Sequence, residues 1–214
     1  FTEALIQKYK NRWNWPVLFN NRRFRTLDLR DNEYKQQQNI KAFINEFPVS
    51  SPKVYHYAHM SNAVQIILAQ RLMSRNTANG KFVDCAGSNV DRTAKAHGFA
   101  RFYFKPKSPT QFYNEFLGID STNTRFYQRA YNLGLPKCPE PVFFEFDLKE
   151  VLMKMPEKCY YSTGNMQKDD TRFFKVMDNP SRIRAAELYV QRPEKDIRQQ
   201  EFLVEGELDF SNLT

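Results

Sequence analysis

Helical and strand periods succeed one another along this chain. Ile40, Phe43 and Ile44 recur at helical spacing within the polar run from Asn32 to Phe47, and Pro48 stops it, which predicts a helix. Val54-Tyr55-His56-Tyr57-Ala58-His59 is β-branched, aromatic and small, the make-up of a short buried strand. It runs straight into Met60 to Leu68, where Ser61 and Asn62 suit an N-cap and Val64, Ile67 and Leu68 share one helical face. Phe99 to Phe104 reads as a compact aromatic strand, and Val142 to Leu148 as the clearest strand in the sequence. A short helix from Lys149 to Met155 follows and ends at Pro156. Ala185 to Gln191 and Gln200 to Glu207 alternate like two further strands, separated by the polar segment Arg192 to Gln199.

Between these elements, Arg71 to Gly98 is rich in Asn, Ser, Asp and Gly and reads as a loop long enough for a lid or a binding loop. Gly118 to Leu135 is polar and carries Arg125 and Arg129, and Ser162 to Asn179 is loop-rich with Phe173 and Phe174 as anchors. Strands and helices mix without a β-α-β rhythm, so the fold class is α+β. With 214 residues the chain can build one well-packed domain and an appendage. Residues 51–214 supply the domain. Residues 1–50 read as a basic, aromatic N-terminal extension packed on it, with Trp13, Trp15, Arg22, Arg23, Phe24 and Arg25. Such interleaving suits phosphates and bases, and anchoring by the tryptophans explains it equally well.

Charge narrows the partners. Thirty-two Lys and Arg against 24 Asp and Glu give a net charge of +8, which favours a polyanion, nucleic acid before membrane. No stretch approaches the roughly 20 apolar residues of a membrane span. Cys85, Cys138 and Cys159 form no Cys-x-x-Cys, which points to a reducing, cytoplasmic compartment. No signal peptide is visible, and Phe1 in place of Met suggests a piece of a longer chain.

Several chemistries drop out. His56 and His59 are three apart, so on a strand they point to opposite faces, and no Cys stands at ligand spacing from them or from His97; no metal is expected. Gly-x-Ser-x-Gly, the Walker A loop and Gly-x-Gly-x-x-Gly are all missing. What remains is a histidine on a first strand, several arginines and late carboxylates: Glu187, Glu201, Glu205 and Glu207. That set suits cleavage of a nucleotide at its glycosidic carbon, where a carboxylate stabilises an oxocarbenium-like transition state and an arginine clamps a pyrophosphate. Glu201 is modestly favoured, because Phe202 and Val204 after it point inward while Glu205 and Glu207 flank Gly206 like solvated strand ends. His56 could equally be a structural histidine of the core.

Three blocks, taken in order, resemble the DarT family of DNA ADP-ribosyltransferase toxins. Val54 to His59 followed by Asn62 is similar to the family's Tyr-His-x-Thr-His-x-x-Asn, with Ala58 in place of Thr. Phe99-Ala100-Arg101-Phe102-Tyr103-Phe104-Lys105-Pro106-Lys107-Ser108-Pro109 is similar to Tyr-Val-Pro-Phe-Tyr-Phe-x-Pro-Arg-Ser-Pro. Gln200-Glu201-Phe202-Leu203-Val204 is similar to Ala-Glu-Phe-Leu-Val. The resemblance implies an ADP-ribosyltransferase fold with a mixed or antiparallel β core and flanking helices. It implies NAD as donor and a base of single-stranded DNA as acceptor. Glu201 would be the catalytic glutamate and Arg92 the best match to the catalytic arginine, with Arg75 or Arg101 as alternatives in a shortened interval. His56, Tyr57, Ala58, Asn62 and Tyr103 would line the NAD pocket. The loop Arg192 to Gln200 would face the acceptor, with Lys105, Lys107, Arg125, Arg198 and Gln199 as nucleic-acid contacts. Pro109-Thr110-Gln111-Phe112 departs from the pattern of the thymine-modifying group and tilts the acceptor toward guanine. A macrodomain-type antitoxin would be the cellular partner, in a toxin-antitoxin or phage-defence setting. The rivals are an RNA-modifying enzyme of the same fold and a non-catalytic basic nucleic-acid-binding module.

Overall fold

The computed structural model describes residues 27–83, 91–106, 108, 138 and 141–213, without the side chains of residues 27–30 and 91–93. In chain order these form α1 (Leu27–Asn45), β1 (Lys53–His59), α2 (Met60–Ala69), β2 (Arg71–Met73) and α3 (Arg75–Ala78). There follow β3 (Phe99–Tyr103), β4 (Pro141–Asp147), α4 (Leu148–Lys154), β5 (Cys159–Ser162), β6 (Phe173–Lys175), β7 (Glu201–Glu205) and β8 (Glu207–Asp209). The chain divides into two compact units, residues 1–38 and 39–214, so the boundary falls within α1.

Six strands form one sheet in the order β4-β1-β3-β7-β5-β6, every pairing antiparallel, and β2 and β8 form a separate two-stranded ribbon. This is the α+β architecture that the irregular succession of elements implies. Opposite residues of an antiparallel pair share a face, so the register sorts the side chains. Val54, Ala100, Phe102, Phe146, Cys159, Tyr161, Phe202 and Val204 lie on one face and are buried together. Ile40, Phe43 and Phe47 close over them, with Phe43 and Tyr161 ring centroids 5.4 Å apart and Phe47 and Phe104 5.5 Å apart. Helix α4 adds Leu148, Val151 and Leu152, and Asp147 caps it by accepting the Lys149 and Glu150 N–H groups. The other face carries Tyr55, Tyr57, Phe99, Arg101, Tyr103, Phe143, Glu201 and Leu203, of which Glu201 and Leu203 are buried and Phe143 is exposed.

Several local expectations are corrected. Residues 71–98 are no unbroken loop, since they hold β2, α3 and the 3-10 turn Asp91–Ala96. Ala185 to Gln191 is not a strand: Ala185 and Leu188 are buried three apart, the Arg184 and Glu187 side chains pair across the same turn, and Ala185–Tyr189 is a 3-10 helix. Helix α2 begins at Met60 and is capped by His59, not by Ser61 or Asn62, and His59 Nδ1 accepts the Ser61 N–H at 3.2 Å. Its apolar stripe does not face the core. Only Ala63 is buried, while Val64, Ile67 and Leu68 are exposed, Leu68 by 75%. Gly118 to Leu135 and most of residues 1–50 lie outside the described residues. Among those described, no helix is long and apolar enough to cross a membrane.

Candidate active site

Glu201 opens β7 and is 1% exposed, an unusual place for a carboxylate without partners. Its partners come from two directions. Arg101 on β3 grips it through two parallel bonds, Nε to Oε2 at 2.6 Å and Nη2 to Oε1 at 2.8 Å. The Met166 N–H adds a third bond to Oε1 at 3.2 Å. Behind the side chain, the Glu201 N–H is taken by Ser162 Oγ at 2.9 Å, and that hydroxyl donates to the Gly164 carbonyl at 2.6 Å. Burial alone would weaken the Arg101 charge, but the Glu201 carboxylate more than offsets it and holds the guanidinium more firmly protonated than a free arginine. Arg101 therefore keeps its charge. The pair meets solvent through Arg101, whose side chain is 24% exposed, while Glu201 is sealed beneath it.

Aromatic rings adjoin this pair. Tyr103 lies opposite Glu201 on β3 and opposite Tyr55 on β1. Tyr57 stacks on Tyr103 with ring centroids 5.9 Å apart and planes 16° off parallel, and Phe143 leans on Tyr57 at 6.3 Å. Phe143 is 42% exposed, so the aromatic row opens to solvent at that end.

His56 and Ala58 were expected beside this row, and alternation sends both side chains to the opposite face. Ala58 is buried, and the His56 ring packs between Phe102 and Phe144, with centroids 6.0 and 6.4 Å away. His56 still touches the site from behind, its Nδ1 lying 2.8 Å from the Arg101 carbonyl oxygen. A carbonyl can only accept, so Nδ1 carries the proton. Burial drives the imidazole down to about 4; the bond to the Arg101 carbonyl opposes this and the Arg101 charge reinforces it. His56 is thus a neutral strut under Arg101.

The remaining predicted residues scatter. The Asn62 amide is engaged by the Val83 peptide in both directions, at 2.7 and 2.9 Å, and anchors the chain where it leaves α3. Arg75 sits over the Phe82 ring at 4.8 Å and Lys105 over the Tyr189 ring at 4.0 Å. Arg92 belongs to the turn Asp91–Ala96, and its side chain lies outside the described residues, as do Lys107 and Arg125. Arg198 is exposed, whereas Gln199 is buried. Among the described residues, Oε1 of Gln199 and of Gln200 has no hydrogen-bond partner. Sequence reasoning missed Ser162, Met166 and Phe143, because an acceptor for a backbone N–H and a donating peptide leave no mark in composition. Phe143 carried the one available signal, since alternation along β4 sets it apart from the buried Phe146.

The family model described as "DarT: ssDNA thymidine ADP-ribosyltransferase, DarT" matches residues 55–214. Among curated proteins, none matches the sequence. Solved structures of similar fold include Thermus sp. 2.9 DarT in complex with ADP-ribosylated ssDNA, 15% identical with a TM-score of 0.58 over 78% of this chain and 81% of that one. Thermus sp. 2.9 DarT in complex with NAD+ is 16% identical, with a TM-score of 0.51 over the same shares of the two chains. These identities establish the fold, and the family model, which covers well over half of the sequence, establishes the kinship. The chain belongs to the DarT family of NAD-dependent ADP-ribosyltransferases that act on single-stranded DNA.

Proposed function

We propose that the Arg101–Glu201 face is the active site and that it transfers ADP-ribose from NAD to a base of single-stranded DNA. The observation that carries this reading is the Arg101–Glu201 pair, joined by two hydrogen bonds and nearly buried, at the edge of an aromatic row on the sheet face opposite the main core. These residues fit NAD: stacked tyrosines suit the flat, cationic nicotinamide, and a carboxylate beside a guanidinium suits the ribose and pyrophosphate. NAD supplies the ADP-ribosyl group, whose anomeric carbon gains positive charge as nicotinamide departs. Glu201 provides fixed negative charge toward that carbon. Arg101 holds the carboxylate in one orientation, and with Glu201 sealed beneath it, one of its two bonds must yield before the carboxylate reaches a ligand. His56 and Ala58 support the strand from the core side, and Tyr57 and Tyr103 provide the stacking surface.

Among the described side chains, Arg101 is the arginine bonded to the glutamate and Arg75 sits over Phe82, which supports Arg101 over Arg75 as counterpart of the family's catalytic arginine. Exposed Arg198 and the segment around Gln199 adjoin Glu201 in sequence and form the acceptor side. A base in a duplex hides its ring atoms, so the exposed bases of a single strand are the substrate. For the base itself, the family's description names thymidine and the departure at Pro109-Thr110-Gln111-Phe112 favours guanine. A toxin role with a macrodomain-type antitoxin follows from the same kinship.

Labelled NAD, offered with single-stranded DNA, duplex DNA or RNA, tests the reading. Label is expected on single-stranded DNA alone, and oligonucleotides lacking guanine or lacking thymine name the base. Label on RNA in preference to DNA would move the target, and no label on any acceptor would leave a binding module.

A further inference from the structure

The β5–β6 connection, Thr163 to Arg172, carries the peptide that bonds Glu201, and three sets of contacts pin it. Within the loop, the Asn165 carbonyl accepts Thr171 Oγ1 at 2.7 Å, Asn165 Oδ1 accepts the Gln167 N–H at 2.9 Å, and the Arg172 carbonyl accepts the Thr163 N–H at 2.9 Å. Toward the acceptor segment, Lys168 pairs with Asp196. Toward the turn Asp91–Ala96, the Lys95 ammonium donates to the Lys168 carbonyl and, at 3.2 Å, to the Thr171 carbonyl. Next to Lys95, Ala96 is buried against Met166 and Leu203, with Phe99 and Tyr160 packed around them. The Asp91–Ala96 turn therefore docks on the loop twice, once by apolar contact and once by a cation on two carbonyls. Met166, the apolar docking point and two residues before Lys168, is also the residue whose N–H meets Glu201 Oε1.

We infer that Lys95 is a positioning residue for Glu201: by clamping the Lys168 and Thr171 carbonyls it holds the Met166 N–H against the carboxylate. An ammonium is suited to this work because it has three donors and no acceptor, and its bonds to carbonyls are charge-assisted. The clamp also ties the segment bearing Arg92 to the glutamate, so that turn and catalytic strand move together. The inference rests on the transferase reading for its kinetic consequence and on geometry alone for its structural one.

The experiment compares the intact chain with Lys95→Met, which keeps the stem and loses the donors, and Lys95→Arg, which keeps charge and donors. Hydrogen exchange at the Met166 amide, read by NMR, is expected to speed up by about tenfold in Lys95→Met, the scale of one lost hydrogen bond, with the Phe202 and Leu203 amides unchanged. In the transfer assay, kcat for Lys95→Met should fall by about tenfold while KM for NAD stays within about twofold, and Lys95→Arg should recover most of the loss. Unchanged Met166 exchange in Lys95→Met would overturn the inference whether or not the chain is a transferase. A loss confined to KM for DNA would overturn it too, by making Lys95 a phosphate contact. Faster Met166 exchange in a chain whose wild type transfers nothing would sustain the clamp and count against the transferase reading instead.

Discussion

Arg101 and Glu201 are bound by reciprocal need, and each is costly to keep alone. Charges that are largely withdrawn from water are stable only while paired, and removal of one partner strands the other. Arg101→Leu is expected to lower the unfolding free energy by about 2–3 kcal/mol, less than for a fully buried pair because the guanidinium edge reaches solvent. The double replacement Arg101→Leu with Glu201→Leu should regain most of that loss and transfer nothing, which would locate the value of the pair in chemistry. Urea denaturation of both variants checks it, and a double variant no more stable than the single one would contradict it. His56 makes a separate prediction. Unfolded it titrates near 6.5 and folded near 4, so above pH 6.5 it is neutral in both states. Between those values only the unfolded chain takes up the proton, and stability drains away as pH falls, by about 3 kcal/mol in all. In His56→Gln that part of the slope should vanish; a slope identical to wild type would mean that the histidine is not held neutral. Of these residues, Glu201 and His56 stand out in their sequence blocks, but the His56 ring faces Phe102 and Phe144 on the core side and not the expected pocket. The bond between Arg101 and Glu201 was not legible, because the two stand 100 positions apart and meet only through the β3–β7 register. Arg101 moreover occupies the place of the proline in the family's second block.

Among elements, β7 matters most, since it joins the core to the site within five residues. Phe202 and Val204 enter the core and Glu201 and Leu203 the open face, so a one-residue slip would bury the wrong set. Ser162 on β5 fixes that register locally by accepting the Glu201 N–H. Ser162→Ala leaves this buried amide without an acceptor, and a loss of about 1–3 kcal/mol is expected in thermal or denaturant unfolding. A stability equal to wild type would mean that the amide finds another acceptor. Strand period made β1, β3, β4 and β7 legible, because aromatic and β-branched residues alternate cleanly there. It failed at Ala185–Tyr189, where a spacing of three mimics alternation over so few residues, and in α2, whose helical stripe is real while its burial is not. Periodicity reports which side chains share a face, and only packing decides which way that face turns.

At the scale of the molecule, one antiparallel sheet divides the labour. Its covered face, closed by Ile40, Phe43, Phe47 and helix α4, supplies the stability, and its open face holds the charge pair and the aromatic row. A net charge of +8 gives the whole chain an attraction for polyanions that the site alone does not provide. The proposed role of Glu201 in transfer is decided by comparing the intact chain with Glu201→Gln, each given labelled NAD and single-stranded DNA, with NAD binding measured on both. Glu201→Gln is expected to bind NAD and to leave the DNA unlabelled. Labelling by Glu201→Gln at the wild-type rate would contradict it and return Glu201 to a structural role.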